Sequence, residues 1–395
     1  MLKQTINFFN QIFEIENGLP TIFSDIFFEK ENRSLYEGEV NTSENKDGSL
    51  HKLYKLEFVP DYMVPKLKHP SLFDVKKVRH VKGYAAHLTD FTDVDSYLKN
   101  QFRSNTKTIR RYINRLETCF NIRYKLYYGT IDRPEYEFIM NSLEKMKENR
   151  FDQRDDQDES LAYWDYIYKI AFDLINKKRA SLFVIYDEQK PIEISLNYHF
   201  NGILYSSNSS YDIDYSKFGL GHVEIYKQIE WCIANNYTVF EMGRGDLDYK
   251  RRWSNLIYHY EYHLVYQKKH IGAKLYTAIL ENQLQFKEFL KSKNVDTYLR
   301  RIKSTIKNNN KNDNGLEPRI KIEKITESSV HHTKTPIDCQ SESFSLLKKI
   351  LYDFAYSNIE HISGIKVFEI EKDKCYLIKG QRQIQKITVI SKEEY

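Results

Sequence analysis

The chain has 395 residues, of which 41% are hydrophobic and 29% charged, a balance typical of globular rather than disordered proteins. This length suits roughly two or three domains, and a net charge of +5 gives no indication of nucleic-acid binding along the whole chain. The four cysteines form no Cys-x-x-Cys pair, which disfavours a zinc site or a disulfide framework and fits a reducing compartment. No apolar run suits a signal peptide or a membrane span, so a cytoplasmic location is expected.

The first third of the chain predicts short strands followed by a basic helix. Residues 1–92 contain three candidate strands, at 21–28, 53–59 and 75–88, and no chemically specific motif. Residues 95–118 have apolar side chains at helical spacing and a basic face that includes Arg110 and Arg111. This face predicts a contact with a phosphorylated acceptor, and a solvated helix face is the alternative.

The centre of the chain changes from helical spacing to an alternation of period two. Asp132 and Pro134 predict the start of a helix that runs to about residue 150, and a second helix follows at 160–178. Strands are then predicted at 181–186, 192–200 and 203–209, with Asn201-Gly202 as a two-residue hairpin turn. The three strands predict an antiparallel meander.

A glycine-containing turn follows the meander and opens a helix at 222–235. The turn, Ser216-Lys217-Phe218-Gly219-Leu220-Gly221, places backbone N–H groups at a helix N-terminus, which is a ready site for a phosphate group. The alternative is that Gly219 and Gly221 only make a tight turn. Asn236 can end this helix in the left-handed conformation, and a strand at 237–242 can pair in parallel with the meander.

The segment after that strand is rich in ionisable residues. Glu241, Asp246 and Asp248 are carboxylates beside Tyr249 and Lys250, and each of them taken singly can also belong to a solvated loop. In the strand at 258–266, His259, Glu261 and His263 share one face, which we interpret as the wet face rather than a metal site. No metal is therefore expected.

The last third predicts a basic helix and a separate small unit. Residues 271–306 are helical and basic, 308–315 are a polar linker, and 316–395 predict a small α+β tail. The basic helix favours packing on the preceding domain, and a peripheral contact with a membrane or tRNA through residues 271–311 is the alternative. No contact with DNA is expected.

Two motifs resemble the GNAT superfamily of acyltransferases. Ser216-x-x-Gly219-x-Gly221 resembles its acyl-CoA signature, Arg/Gln-x-x-Gly-x-Gly/Ala, with Ser216 in place of the usual Arg or Gln. Residues 240–253, Phe-Glu-Met-Gly-Arg-Gly-Asp-x-x-Tyr-Lys-x-x-Trp, resemble the end of its FemAB-like and CelD-like branch. The resemblance covers residues 93–268 and implies a mixed α/β, or α+β, GNAT fold. It divides the chain into a degenerate GNAT-like half (1–92), the acyltransferase domain (93–270), a basic helix and linker (271–315) and an appendage (316–395).

The resemblance implies transfer of an acyl group from acyl-CoA, most simply acetyl-CoA, to a primary amine of an amino sugar or another cell-envelope or exopolysaccharide precursor. The alternatives are a FemAB-like transferase that uses aminoacyl-tRNA and a non-catalytic GNAT-like binding module. An enzyme of this branch would be cytoplasmic, with association at the inner membrane face as a variant. The predicted catalytic residues are Glu241, Asp246, Tyr249 and Lys250; those for the cofactor are Ser209, Ser216, Phe218, Gly219, Gly221 and His222; and those for the acceptor are Arg110, Arg111, Arg244 and Trp253.

Overall fold

A computed structural model describes residues 3–15, 18–36, 51–152, 161–293, 319–325, 335–337, 345–372 and 374–390. Its α-helices are α1 (Val94–Phe102), α2 (Thr106–Cys119), α3 (Arg133–Asp152), α4 (Trp164–Asn176), α5 (Leu220–Ala234), α6 (Asp248–Trp253), α7 (Ile271–Ser292) and α8 (Ser345–Asn358). The N-terminal strands are β1 (Lys3–Asn7), β2 (Phe23–Phe28), β3 (Arg33–Ser34), β4 (Leu53–Pro60), β5 (Met63–Leu67) and β6 (Phe73–His87). The central strands are β7 (Ile122–Tyr127), β8 (Ala180–Asp187), β9 (Lys190–Phe200), β10 (Ile203–Tyr211), β11 (Val239–Arg244) and β12 (Leu256–Gln267). The C-terminal strands are β13 (Arg319–Ile325), β14 (Thr335–Pro336), β15 (Lys366–Glu371), β16 (Cys375–Lys379) and β17 (Ile384–Ile390).

A nine-stranded sheet forms the centre of the protein, in the order β1-β4-β12-β6-β11-β10-β9-β8-β7. The predicted meander is confirmed, because β8, β9 and β10 pair antiparallel in sequence. Asn201 and Gly202 both have positive φ in the turn between β9 and β10. The predicted parallel pairing of the next strand is also confirmed, since β11 lies parallel to β10.

Helices cover both faces of this sheet and bury two separate apolar cores. On one face, α3 and α4 pack with the N-terminal segment in a core that includes Tyr136, Ile139 and Ile175. On the other face, α1, α2 and α5 pack in a core that includes Leu98, Ile113 and Ile229. The start of α3 agrees with the prediction from sequence, because Asp132 accepts a hydrogen bond from the backbone N–H of Glu135 at 2.8 Å, as an N-cap residue does. The mixed α/β class predicted from the sequence is therefore confirmed.

Two expectations for single elements are wrong. The helix predicted at 95–118 is broken into α1 and α2, because Arg103 adopts a φ of +50° and a short 3₁₀ segment, Arg103–Asn105, follows. The predicted wet face of β12 is largely buried: His263 is 2% exposed, its Nε2 lies 3.0 Å from Oε2 of Glu261, and only His259 is half-buried. Register shifts near His259 and Glu261 interrupt the alternation of faces, and α7 packs on the opposite face, against Tyr262, Leu264 and Tyr266.

Strands β1, β4 and β6 of residues 1–92 share this sheet with strands of residues 93–270, since β6 lies between β11 and β12, whereas β2, β3 and β5 form a separate three-stranded sheet. The predicted boundary at residue 92 thus falls between β6 and α1, inside one continuous β-structure. The tail forms its own five-stranded sheet, β13-β17-β16-β15-β14, and its helix α8 packs into the core formed by α2 and α5. Of the predicted basic helix, α7 is described to Lys293, and residues 294–318 lie outside the described part of the chain. Within the described residues, no helix is both long enough and apolar enough to cross a membrane.

Candidate functional site

The site centres on the place where two parallel strands separate. β10 and β11 pair only from Ile203↔Val239 to Tyr205↔Glu241, and a bulge in β10 follows between Ser206 and Asn208. Among the described strands, β10 and β11 show no pairing beyond Tyr205, so the backbone groups on that side of β10 leave the ladder. Backbone N–H groups that leave a ladder in this way can bind a carbonyl oxygen.

The N-terminus of α5 follows β10 and is shaped by two glycines. Gly219 has a φ of +63°, and a Cβ placed there would lie 2.9 Å from the ring of Tyr112, so only glycine fits without movement. A Cβ placed on Gly221 would meet no atom within 4 Å, so there is open space beside the first turn of α5. The first N–H groups of a helix have no partner within that helix, and together with the helix dipole they attract anions. This turn is therefore suited to attract an anion such as a phosphate group.

An aromatic network holds this turn in place. Trp253 is fully buried, and its Nε1–H donates to Nδ1 of His222 at 2.9 Å. Because tryptophan can only donate, the neutral His222 ring carries its proton on Nε2. His222 also stacks on Tyr112 with ring centroids 5.8 Å apart, and burial, with Arg252 nearby, lowers its pKa. Trp253 therefore lies in the core behind the turn and offers no exposed surface to an acceptor.

Glu241 lies where β10 and β11 separate, and it is 1% exposed. The Tyr62 hydroxyl donates to its Oε2 at 2.9 Å, and the Gly243 N–H donates to its Oε1 at 2.7 Å. Burial raises the pKa of Glu241 to about 7, against the opposing effect of these hydrogen bonds and of Lys250. A carboxyl group with this pKa can accept and release a proton near neutral pH.

Lys250 extends the same site from α6. It is buried, and its Nζ donates to the Arg244 carbonyl oxygen at 2.6 Å, which fixes the turn between β11 and α6. Burial lowers the pKa of Lys250 to about 8, while the charge of Glu241 opposes this change. The structure thus brings two of the predicted catalytic residues, Glu241 and Lys250, into one buried electrostatic environment.

The other predicted catalytic residues lie on the surface. Asp246 accepts a hydrogen bond from Tyr84 at 2.5 Å and pairs with Arg251 at 2.5 Å. These contacts lower the pKa of Asp246, so it stays ionised and is a weak base. Asp248 is exposed and pairs with Arg251 and Arg252, and Tyr249 is also exposed.

The remaining predicted residues are spread around the α5 turn. Ser216 is exposed, whereas Phe218 is fully buried against Phe120. Arg110 is exposed and pairs with Asp95 at 3.0 Å. Arg111 and Arg244 are also exposed. Ser209 lies in β10 beyond the point where the strands separate, and its side chain hydrogen-bonds to Glu224.

A buried pair of carboxyl groups was not anticipated from the sequence. Glu193 of β9 and Glu224 of α5 are 1% and 4% exposed. Burial and the neighbouring Glu224 raise the pKa of Glu193 well above its usual value, and burial raises the pKa of Glu224 to about 7. Glu224 lies one turn after Gly221 and accepts a hydrogen bond from Gln228 at 2.7 Å. In β9 the alternation Ile-Glu-Ile-Ser predicts an exposed polar face. That face is buried instead, because α5 covers it, so the strand pattern alone does not indicate the pair.

A cavity of about 370 Å³ lies on another side of α5. It is lined by the later part of α5 and by strands at the sheet edge, including Lys227, Trp231, Tyr124 and Phe183. None of the residues predicted for the site lines it. Among the described residues, no group of three or more His, Cys, Asp or Glu side chains is arranged to hold a metal ion.

Comparison with known families identifies the central domain. Residues 103–251 match the family described as an acetyltransferase (GNAT) domain. This span contains β7–β11, the α5 turn, Glu241 and Lys250. The chain therefore carries an acetyltransferase domain of the GNAT superfamily, and the resemblance drawn from its motifs is confirmed. The class defined by this match is a GNAT-type acetyltransferase domain, over residues 103–251.

Solved structures resemble the chain over about half its length. One titled FemX is 11% identical, with 54% of this chain and 72% of that chain covered and a TM-score of 0.38. L-PGS from Bacillus licheniformis is 15% identical, with coverage of 57% and 72% and a TM-score of 0.35. A conserved protein of unknown function from Bacteroides thetaiotaomicron is 14% identical, with coverage of 55% and 70% and a TM-score of 0.38. No curated protein matches this sequence.

Proposed function

We propose that this chain transfers an acyl group from acyl-CoA to a primary amine. The observation that carries the proposal is the end of β10–β11 pairing at Tyr205↔Glu241, with the buried Glu241 carboxyl at that point. The open turn at Gly221 supplies a place for the diphosphate of coenzyme A on the element that follows β10. The acceptor class, an amino sugar or related cell-envelope precursor, extends the same proposal.

The acceptor amine requires a base. An alkylammonium with a pKa of about 10.4 is neutral in roughly one molecule in a thousand or fewer at pH 7. Glu241, with a pKa of about 7, takes the proton that the nitrogen loses as the new C–N bond forms. Backbone N–H groups of β10 beyond Tyr205 bind the carbonyl oxygen during attack.

The leaving group requires an acid. When the C–S bond breaks, the electron pair stays on sulfur as a thiolate. Lys250, with a pKa of about 8, is largely protonated at neutral pH and close in acidity to an ordinary thiol, so it can neutralise that thiolate. Tyr249, which is exposed beside it, is the second candidate for this role.

Calorimetry with acetyl-CoA on two variants of Gly221 tests the donor. In Gly221→Asp, a carboxylate lies at the second position of α5, where it favours the helix but repels a diphosphate. We expect an unchanged or higher melting temperature and affinity at least about 10-fold weaker. Gly221→Ala is the matched control and should bind within about 3-fold of wild type, because the added methyl group meets open space.

Two results would overturn the donor assignment. One is the absence of heat for the wild-type chain at millimolar acetyl-CoA. The other is equal affinity of the Asp and Ala variants, which would place the nucleotide away from α5. Transfer from aminoacyl-tRNA by a chain that does not bind acetyl-CoA would instead support the FemAB-like alternative.

A further inference from the structure

Helix α7 has two apolar stripes, one buried against the sheet and the other exposed. Ala273, Thr277, Leu280 and Leu284 are buried, and the apolar members of this set pack on Val78 and the outer end of β12. These four residues recur at helical spacing and form the face that joins α7 to the sheet. The predicted packing of this helix on the preceding domain is therefore present along one side.

The opposite side of α7 exposes large apolar side chains. At about 100° per residue, five of them fall within an arc of about 80°, opposite the buried stripe. These are Ile271, Leu275, Ile279, Phe286 and Phe289, with 85%, 64%, 46%, 62% and 55% of their surfaces exposed. The helix has 22 residues and a length of about 33 Å. An apolar stripe of this length on a surface marks a site of interaction.

The charges around the stripe are positive. Lys274 and Lys293 are exposed, and Lys268 and Lys269 are exposed just before the helix. The two glutamates of α7 face the protein instead: Glu281 pairs with Lys76 at 3.5 Å, and Glu288 lies 2.8 Å from His80. The exposed side therefore combines apolar anchors with lysine amino groups, and a negatively charged apolar partner complements it.

We propose that α7 binds the surface of an anionic lipid bilayer. The stripe lies in the plane of the surface, with its side chains about 5–10 Å deep at the boundary of headgroups and acyl chains. The lysines at its sides extend their stems along the apolar region and contact lipid phosphates. This inference stands independently of the proposed donor and acceptor, because it uses no residue of the transferase site.

Sedimentation with lipid vesicles tests the proposal on the full chain. The probes are vesicles of phosphatidylcholine alone and vesicles containing about 30% phosphatidylglycerol. We expect binding to the anionic vesicles, binding that weakens as salt is raised, and little binding to phosphatidylcholine alone. The double variant Ile279→Gln/Phe286→Gln should lower partitioning about 10-fold or more. Its melting temperature should change little, because both side chains are exposed.

Two further variants separate the contribution of the apolar stripe from that of the lysines. Phe138→Gln is the control, because Phe138 is a similarly exposed aromatic residue of α3 outside the stripe; it should bind as wild type. Lys274→Gln/Lys293→Gln should reduce the preference for anionic vesicles. The proposal is overturned if the wild-type chain binds neither vesicle. It is also overturned if the apolar double variant binds both as wild type does. If the chain binds no vesicles, two other results would assign α7 to a different partner. A dimer that dissociates in the apolar double variant would assign it to a second copy of the chain, and retained tRNA would assign it to tRNA.

Discussion

At the scale of single residues, the proposed chemistry depends on Glu241. Its carboxyl is buried where β10 and β11 separate, with a pKa raised to about 7 by burial. We expect Glu241→Gln to lower kcat about 10²–10⁴-fold, while the affinity for acetyl-CoA changes little. The wild-type rate should rise with pH up to about 7, and the variant should lose this rise. Steady-state release of the coenzyme A thiol measures kcat and its dependence on pH.

Asp248→Asn is the control for Glu241→Gln, since Asp248 is an exposed carboxylate paired with arginines. It should retain activity within a few-fold. Glu224→Gln alters the other buried carboxyl whose pKa is raised to about 7, and it distinguishes the two candidate bases. If Glu224→Gln abolishes activity while Glu241→Gln stays active, the base is Glu224 of α5 and not Glu241.

The raised pKa of Glu241 also predicts a pH dependence of stability. The folded chain binds a proton at Glu241 more tightly than the unfolded chain, whose carboxyl group has a pKa near 4.5. Folding is therefore favoured most below the unfolded pKa, and this contribution is lost as pH rises from about 4.5 to about 7. The magnitude is about 3–4 kcal/mol, from the difference between 4.5 and about 7 at about 1.4 kcal/mol per pKa unit.

Denaturant unfolding of wild type and Glu241→Gln at pH 5 and pH 8 measures this effect. The free energy of unfolding of wild type should fall relative to that of the variant between the two pH values. A constant difference across this range would show that Glu241 has an ordinary pKa.

At the scale of elements, local signals predicted most boundaries and failed at two places. Asn236 ends α5 with a φ of +58°, as its residue type indicates. The break after α1 was missed because apolar periodicity continues through Arg103, although Ser104-Asn105 are weak helix formers. The burial of His263 and Glu261 was missed because both faces of β12 are covered there and a register shift interrupts the alternation, and neither follows from alternation in the strand.

The tail helix α8 supports the segment that leads into the α5 turn. Tyr356 packs edge-on against Phe218 with ring centroids 5.0 Å apart, and the Arg115 guanidinium lies 4.3 Å from its ring centroid. We expect Tyr356→Ala to lower the free energy of unfolding by about 2–4 kcal/mol and to weaken acetyl-CoA binding, because Phe218 precedes Gly219. Ile322→Ala in β13, at an exposed position, is the control and should change neither. Thermal unfolding measures the stability and calorimetry measures the affinity for acetyl-CoA. If Tyr356→Ala is destabilised but binds acetyl-CoA with unchanged affinity, the tail does not support the binding turn.

At the scale of the whole molecule, the family and the mixed class followed from sequence, whereas the sheet order did not. The motifs at Gly219–Gly221 and at 240–253 indicated the transferase domain, and residues 103–251 match it. The insertion of β6 between β11 and β12 depends on pairings between residues more than 150 positions apart, such as Phe240↔Ala86. Such pairings leave no signal in a short window of sequence, so strands of residues 1–92 were assigned to a separate half.

We propose that the part of β10 beyond Tyr205 and the turn of α5 together form the acyl-CoA site. Hydrogen exchange of the wild-type chain, followed by mass spectrometry with and without coenzyme A, tests this location. We expect slower exchange in peptides covering 206–211 and 219–224 when coenzyme A is bound. Protection confined to peptides that line the separate cavity, at 124–126 and 227–231, or no protection at saturating coenzyme A, would contradict this location.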